Sequence, residues 1–215
     1  MRYSDLATDV DETRVTTARC EATGGARWLV PYDDHDGISL LADREALRAR
    51  YRDHDLGKLS MTERVLGGAS VATDPTRTLT TLLQAGEIAC WGTHQAGSEC
   101  VAVLALEPFT RQERDENGVR STVEAGVLRL TGPLIVAAWH SFTYGCDYGH
   151  GVIEEALEVE LPPGNYGVTV HRPYAADEDT SPDEHARIPY LIELARLPDD
   201  VRATASSIPG GDGWL

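Results

Sequence analysis

The sequence predicts a mainly β protein, an antiparallel β-sandwich with a short helical segment near the N-terminus. Three observations carry that expectation. First, Leu157-Glu-Val-Glu-Leu161 and Tyr166-Gly-Val-Thr-Val170 have the period of a half-buried strand, and Pro162-Pro-Gly-Asn165 parts them. Pro163 presets φ and Gly164 tolerates positive φ, as a type II turn demands, so the two runs read as a β-hairpin. Second, strand-like runs recur at short spacing from Glu87 onward with no helical pattern between them, which argues against a doubly wound sheet. Third, at 215 residues and 41% hydrophobic composition the chain is long enough to bury a core.

Taken in order, Thr13 to Ala18 and Ala26 to Val30 form an N-terminal hairpin across Thr23-Gly24-Gly25. From Leu41 to Tyr51 the pattern is helical, with Leu41, Leu47 and Tyr51 near one face. Ser60 and Glu63 have the spacing of a capping box for a second short helix, and Gly67-Gly68 stops it. Seven strands follow: Glu87 to Trp91, Glu99 to Leu106, Arg120 to Leu130, Leu134 to Trp139, Ile153 to Leu161, Tyr166 to Arg172 and Ile188 to Leu197. Asn117-Gly118 is a two-residue hairpin signal that sets its flanking segments antiparallel. Residues 1–75 are expected as a hairpin and helical lead-in, 76–205 as the sandwich and 206–215 as a loose tail, all in one domain.

Thirty-five acids against nineteen bases give a formal charge of −16, which repels nucleic acid and anionic membranes and favours a basic protein partner. The longest apolar stretch, Pro133 to Trp139, is too short to span a bilayer, and Met1 to Leu6 lacks a signal-peptide core, so a cytoplasmic location is expected. Cys20, Cys90, Cys100 and Cys146 are widely spaced with no CxxC pair and read as buried free thiols. No cofactor is expected.

Two loops concentrate the residues suited to recognition. Trp139, Phe142, Tyr144 and Tyr148 are dense in one stretch and would anchor a partner if exposed, although Trp139 and Phe142 equally suit a sandwich core. Between 174 and 187, Asp177, Glu178, Asp179, Asp183 and Glu184 form an acidic loop that would steer a basic partner. An alternative uses His140, Cys146 and His150 as zinc ligands, with help from Cys90, His94 or Cys100 if two similar β units pack side by side, giving a metal-dependent enzyme or a zinc-stabilised protein. Asp33 and Asp34 crowd like a cation loop, but the rest of an EF-hand is lacking and they read as a solvated turn. Cys146, His140 and Asp147 have the residue types of covalent catalysis. No nucleophile elbow, P-loop or G-x-G-x-x-G accompanies them, so no catalytic residue is assigned.

The strand ending in Leu161-Pro-Pro-Gly164, the aromatic restart Tyr166 to Val170, the acidic loop Asp177 to Glu184 and the closing strand Tyr190-Leu-Ile-Glu-Leu194 occur in a specific order. In that order, residues 157–197 resemble the C-terminal part of small bacterial β-sandwich inhibitor and immunity proteins, among them the competence-associated nuclease inhibitors. The resemblance implies a β-sandwich that binds another protein, and it carries over no functional residue. The expected function is an acidic cytoplasmic protein-binding module of the bacterial immunity or nuclease-inhibitor type, acting by binding and not by catalysis.

Overall fold

A computed structural model describes residues 1–7, 9–34, 38–52, 82–93, 98–138, 156–173 and 188–201. In chain order the elements are α1 (Tyr3–Ala7), β1 (Thr16–Arg19), β2 (Ala26–Asp34), β3 (Ile38–Asp43), α2 (Arg44–Arg52), β4 (Ile88–Gly92), β5 (Ser98–Ala105), α3 (Arg111–Glu116), β6 (Ser121–Leu130), β7 (Leu134–Ala138), β8 (Glu158–Val159), β9 (Gly164–Arg172) and β10 (Ile188–Leu197). The strands form a six-stranded sheet, β1-β2-β5-β10-β9-β6, facing a four-stranded one, β4-β3-β7-β8. The architecture is the mainly β two-sheet arrangement that the sequence predicts.

The core between the sheets takes one face of each strand. Val30, Ala102, Leu104, Leu128, Tyr166, Val168, Val170, Ile192 and Leu194 come from the larger sheet; Leu41, Trp91, Leu134, Val136 and Val159 come from the smaller. Each such side chain, fully buried, contributes about 1.5–3 kcal/mol relative to exposure. Pairing is antiparallel except between β5 and β10, where Cys100 to Ala105 run parallel to Ile188 to Glu193. The run Cys100-Val-Ala-Val-Leu-Ala105 is apolar throughout, because Val101, Val103 and Ala105 belong to a second core on the outer face, under Tyr3, Ala7, Val10 and Phe109.

The Pro162-Pro163-Gly164 turn does not close a hairpin. β8 pairs with β7 in the smaller sheet, whereas β9 pairs with β6 and β10 in the larger, so the turn is a corner that carries the chain from one sheet to the other. Alternation reports which face is buried, and Val159, Leu161, Tyr166, Val168 and Val170 do share one core. It does not report the hydrogen-bonding partner. The Tyr166 hydroxyl donates to the Pro162 carbonyl at 2.6 Å, and Gly164 has φ +152°.

Asn117-Gly118 is also not a hairpin. Thr110 opens α3 with a reciprocal capping box to Glu113, and Asn117 and Gly118 end it. The Gly118 N–H donates to Asp115 and the Val119 N–H to Arg114, the paired bonds of a Schellman motif, with Gly118 at φ +66°. Asparagine and glycine tolerate left-handed backbone in either setting, so the dipeptide alone cannot tell a helix stop from a strand turn.

The helix expected from Leu41 begins later. Ile38–Asp43 is a strand paired with β4 and β7, and Asp43 accepts from the Ala46 N–H at 2.8 Å as the N-cap of α2. The same carboxylate accepts from Thr131 and Gly132, which pins the link between β6 and β7. The segment expected as a lead-in thus supplies interior strands to both sheets, β2 and β3. Asp33 and Asp34, expected in a turn, end β2 opposite Ser98 and Glu99. The N-terminal hairpin is present as β1 and β2, with Arg19 opposite Ala26. The expected second helix at Ser60 and the tail 206–215 lie outside the described residues, as does most of the strand expected from Ile153. Among the described residues no helix is long and apolar enough to cross a membrane.

Replacing Gly118 with alanine forces a side chain into left-handed backbone and should cost about 1–2 kcal/mol. The expected readout is a lower urea midpoint with an unchanged m-value; an unchanged midpoint would place Gly118 outside a left-handed cap.

Candidate functional site

The register places several chain connections at one end of the sandwich. There β2 ends at Asp34 opposite Ser98, the start of β5; β3 begins at Ile38 opposite Gly92, the end of β4; and β7 ends at Ala138 opposite Ser39. In the larger sheet, β9 ends at Arg172 opposite Ser121, and β10 begins at Ile188 opposite Cys100. The expected recognition residues Phe142, Tyr144, Tyr148, Asp177, Glu178, Asp179, Asp183 and Glu184 lie outside the described residues. β7 leads into the first segment, and β9 and β10 flank the second; β7 ends, β9 ends and β10 begins at this end.

Polar side chains knit the two sheets together here. Arg172 is buried and donates from Nη1 to the Gly92 carbonyl at 3.2 Å and from Nε to Ser121 Oγ at 2.9 Å. The Tyr32 hydroxyl meets Ser39 Oγ at 2.9 Å, and Trp91 packs near Tyr190 with ring centroids 6.1 Å apart. This end is therefore fastened by polar and aromatic groups.

His140, Cys146, His150 and His94, the alternative metal ligands, also lie outside the described residues. Cys100 faces the inter-sheet core, while Cys90, between Ala89 and Trp91 of that core, faces away from it on the smaller sheet. The two thiols point into different layers, which separates the helpers of that reading. Burial pushes the Cys90 thiol up to about 12, so it stays protonated. Cys20, Cys90 and Cys100 are buried free cysteines, and among the described residues no group of three His, Cys, Asp or Glu could hold a metal ion.

Sequence reasoning missed a polar cluster on the outer face of the larger sheet. Glu113 Oε1 accepts from the Tyr3 hydroxyl at 2.9 Å, Cys20 Sγ at 3.3 Å and Arg27 Nη2 at 3.2 Å; Oε2 accepts from the Thr110 N–H at 2.7 Å. Arg27 also lies 4.7 Å over the Phe109 ring. Burial alone would raise the Glu113 pKa, but the hydrogen bonds from Thr110, Tyr3 and Cys20 outweigh it and hold the carboxyl at about 2. Burial, then the bond to Glu113, pushes the Tyr3 hydroxyl up.

Beside it, Thr122 Oγ1, His171 and Glu193 Oε1 line up at 2.9 and 2.8 Å, a hydroxyl, imidazole and carboxylate in sequence. The same Glu193 oxygen accepts the Phe109 N–H at 2.9 Å. Both imidazole nitrogens are engaged and Glu113 is crowded with donors, so these groups fasten the 106–120 segment to the sheet. Two signals were available in the sequence: Thr110-x-x-Glu113 has capping-box spacing, and Arg27 interrupts an otherwise apolar strand.

No protein-family model matches the sequence, and no curated protein does. Among solved structures, the crystal structure of ComJ, inhibitor of the DNA degrading activity of NucA, from Bacillus subtilis, aligns over 85% of this chain and 98% of that chain. The identity is 10% and the TM-score 0.38. That is a loose structural likeness, and it transfers no residue, partner or activity.

Glu113→Gln leaves the buried Arg27 without its counter-charge and should cost about 3 kcal/mol in chemical denaturation. The acid limb follows from the depressed pKa. Stability from Glu113 is complete above about 4.5, the ordinary value, and is lost as pH falls toward about 2. In the Gln variant that part of the acid sensitivity should vanish. An acid limb identical to that of the parent would remove Glu113 from the account.

Proposed function

We propose that the chain is a protein-binding module whose contact surface is the end of the sandwich that carries residues 139–155 and 174–187. One observation supports this above the others: β7, which leads into the aromatic segment, and β9 and β10, which flank the acidic one, stop at the same end of two facing sheets. Residues from the aromatic segment and the acidic segment can therefore act on one partner. The aromatic residues Phe142, Tyr144 and Tyr148 supply apolar anchors. Asp177, Glu178, Asp179, Asp183 and Glu184 supply steering charge, within a chain whose formal net charge is −16.

The finer reading is an inhibitor or immunity-type protein, with a nuclease as its basic partner. A nuclease must present cationic surface to phosphates, and an anionic protein that covers that surface competes with the nucleic acid for it. The direct test adds purified chain to a cationic nuclease encoded beside it and follows DNA cleavage. Stoichiometric loss of cleavage supports the reading, and undiminished cleavage with no complex by gel filtration removes it.

Given such a complex, converting the five acids to Asn and Gln should slow association about tenfold at low salt and flatten its salt dependence. Phe142→Ala or Tyr148→Ala should leave association unchanged and speed dissociation about tenfold. Stopped-flow binding separates the two effects. If neither set of variants changes either rate, the contact lies elsewhere.

A further inference from the structure

The Trp91 indole is fully buried, yet its Nε1–H meets no acceptor among the described residues. A buried N–H left without an acceptor costs about 1–3 kcal/mol, and folded interiors meet nearly all such donors with a protein group or an ordered water. Nε1 therefore marks a point in the inter-sheet core where an acceptor is required. Strand register places its neighbours. Trp91 and Leu41 face that core, so Ser39, two residues before Leu41 on β3, faces it too. Ser39 is the direct cross-strand partner of Trp91, and such pairs stand about 4.5–5.5 Å apart at Cβ. Ser39 is itself fully buried, and its Oγ meets the Tyr32 hydroxyl at 2.9 Å. Tyr190 stands beside the indole, with ring centroids 6.1 Å apart.

One N–H and two hydroxyls thus share a small polar patch in an otherwise apolar core, and Nε1 bonds to neither hydroxyl directly. That spacing sets the chemistry of what fits. A guest must accept from the indole N–H and also exchange a hydrogen bond with a hydroxyl, which can donate or accept. It must be small, because both contacts come from neighbouring side chains of paired strands. It must also be uncharged, since an ion taken into an apolar core without a counter-charge carries a large desolvation cost. Arg172, the buried cation at this end, already donates to the Gly92 carbonyl and to Ser121 Oγ. A single water molecule meets all three requirements.

We propose that a buried water is a fixed part of this end of the sandwich, bridging Trp91 Nε1 on β4 to the hydroxyl pair of Ser39 on β3 and Tyr32 on β2. Through it the smaller sheet gains a second polar tie to the larger. The site belongs to the folded chain alone and does not depend on the partner reading. A high-resolution crystal structure of the unaltered chain should show one ordered water about 2.9 Å from Nε1. Replacing Trp91 with 3-benzothienylalanine then keeps the shape of the ring and removes only the N–H. Because a satisfied bond is broken, the folded-to-unfolded ratio in urea denaturation should fall about tenfold. The sign of that change is decisive, since deleting a donor that had no partner would raise the ratio. A raised or unchanged ratio would overturn the proposal. So would a crystal structure in which Nε1 meets a protein acceptor or the face of the Tyr190 ring instead of a water.

Discussion

The larger sheet contains a return path that the chain must make and then hold down. β5 runs parallel to β10, while β10 and β9 and then β9 and β6 are antiparallel, so β5 and β6 point the same way. A chain leaving Ala105 must travel back along the sheet before it can start β6 at Ser121. Residues 106–120 make that journey across the outer face, and Glu113 ties them down through Arg27, Tyr3, Cys20 and Thr110. That cover buries Val101, Val103, Ala105 and Leu191. Without it the outer face of the larger sheet would be an exposed apolar surface, and β5 could not be the uninterrupted apolar run that it is.

The sequence was most legible where burial alone decides the pattern. The full span of β10, Ile188–Leu197, follows from its own residues, and β4, β5, β6, β7 and β9 match their expected strands to within a few residues. Partnership was less legible, since hydrogen-bonding partners far apart in sequence leave no mark on local periodicity. Leu157 to Val170 shows this: the inward face of each residue was right, and the assumption that the two runs pair with each other was wrong. At Asn117-Gly118 the ambiguity was chemical, because left-handed backbone ends helices and turns strands alike. The candidate site divides in the same way. Loop composition marks the aromatic and acidic stretches, and only strand register brings Ala138, Arg172 and Ile188, where three of their flanking strands stop, to one end.

The two ends of the sandwich differ in how they are built. At one end Arg172, Tyr32, Ser39 and Ser121 join the sheets by hydrogen bonds, giving the long connections a fixed base. At the other, tight links such as Thr131 to Pro133 and the Pro162 corner pass between sheets within a few residues, held by Asp43 and by the Tyr166 hydroxyl.

The place of β10 also bears on how the molecule comes to exist in a cell. It lies between β5 and β9, yet of the six strands in its sheet it is the last to leave the ribosome. At a synthesis rate of about 5–20 residues per second, β5 waits roughly 5–20 seconds for its parallel neighbour. Throughout that interval β5 carries an unpaired inner edge, and β9 adds a second once it is made, the kind of surface that invites foreign strands. The sheet therefore closes only when Ile188 to Leu197 enters between two strands already made.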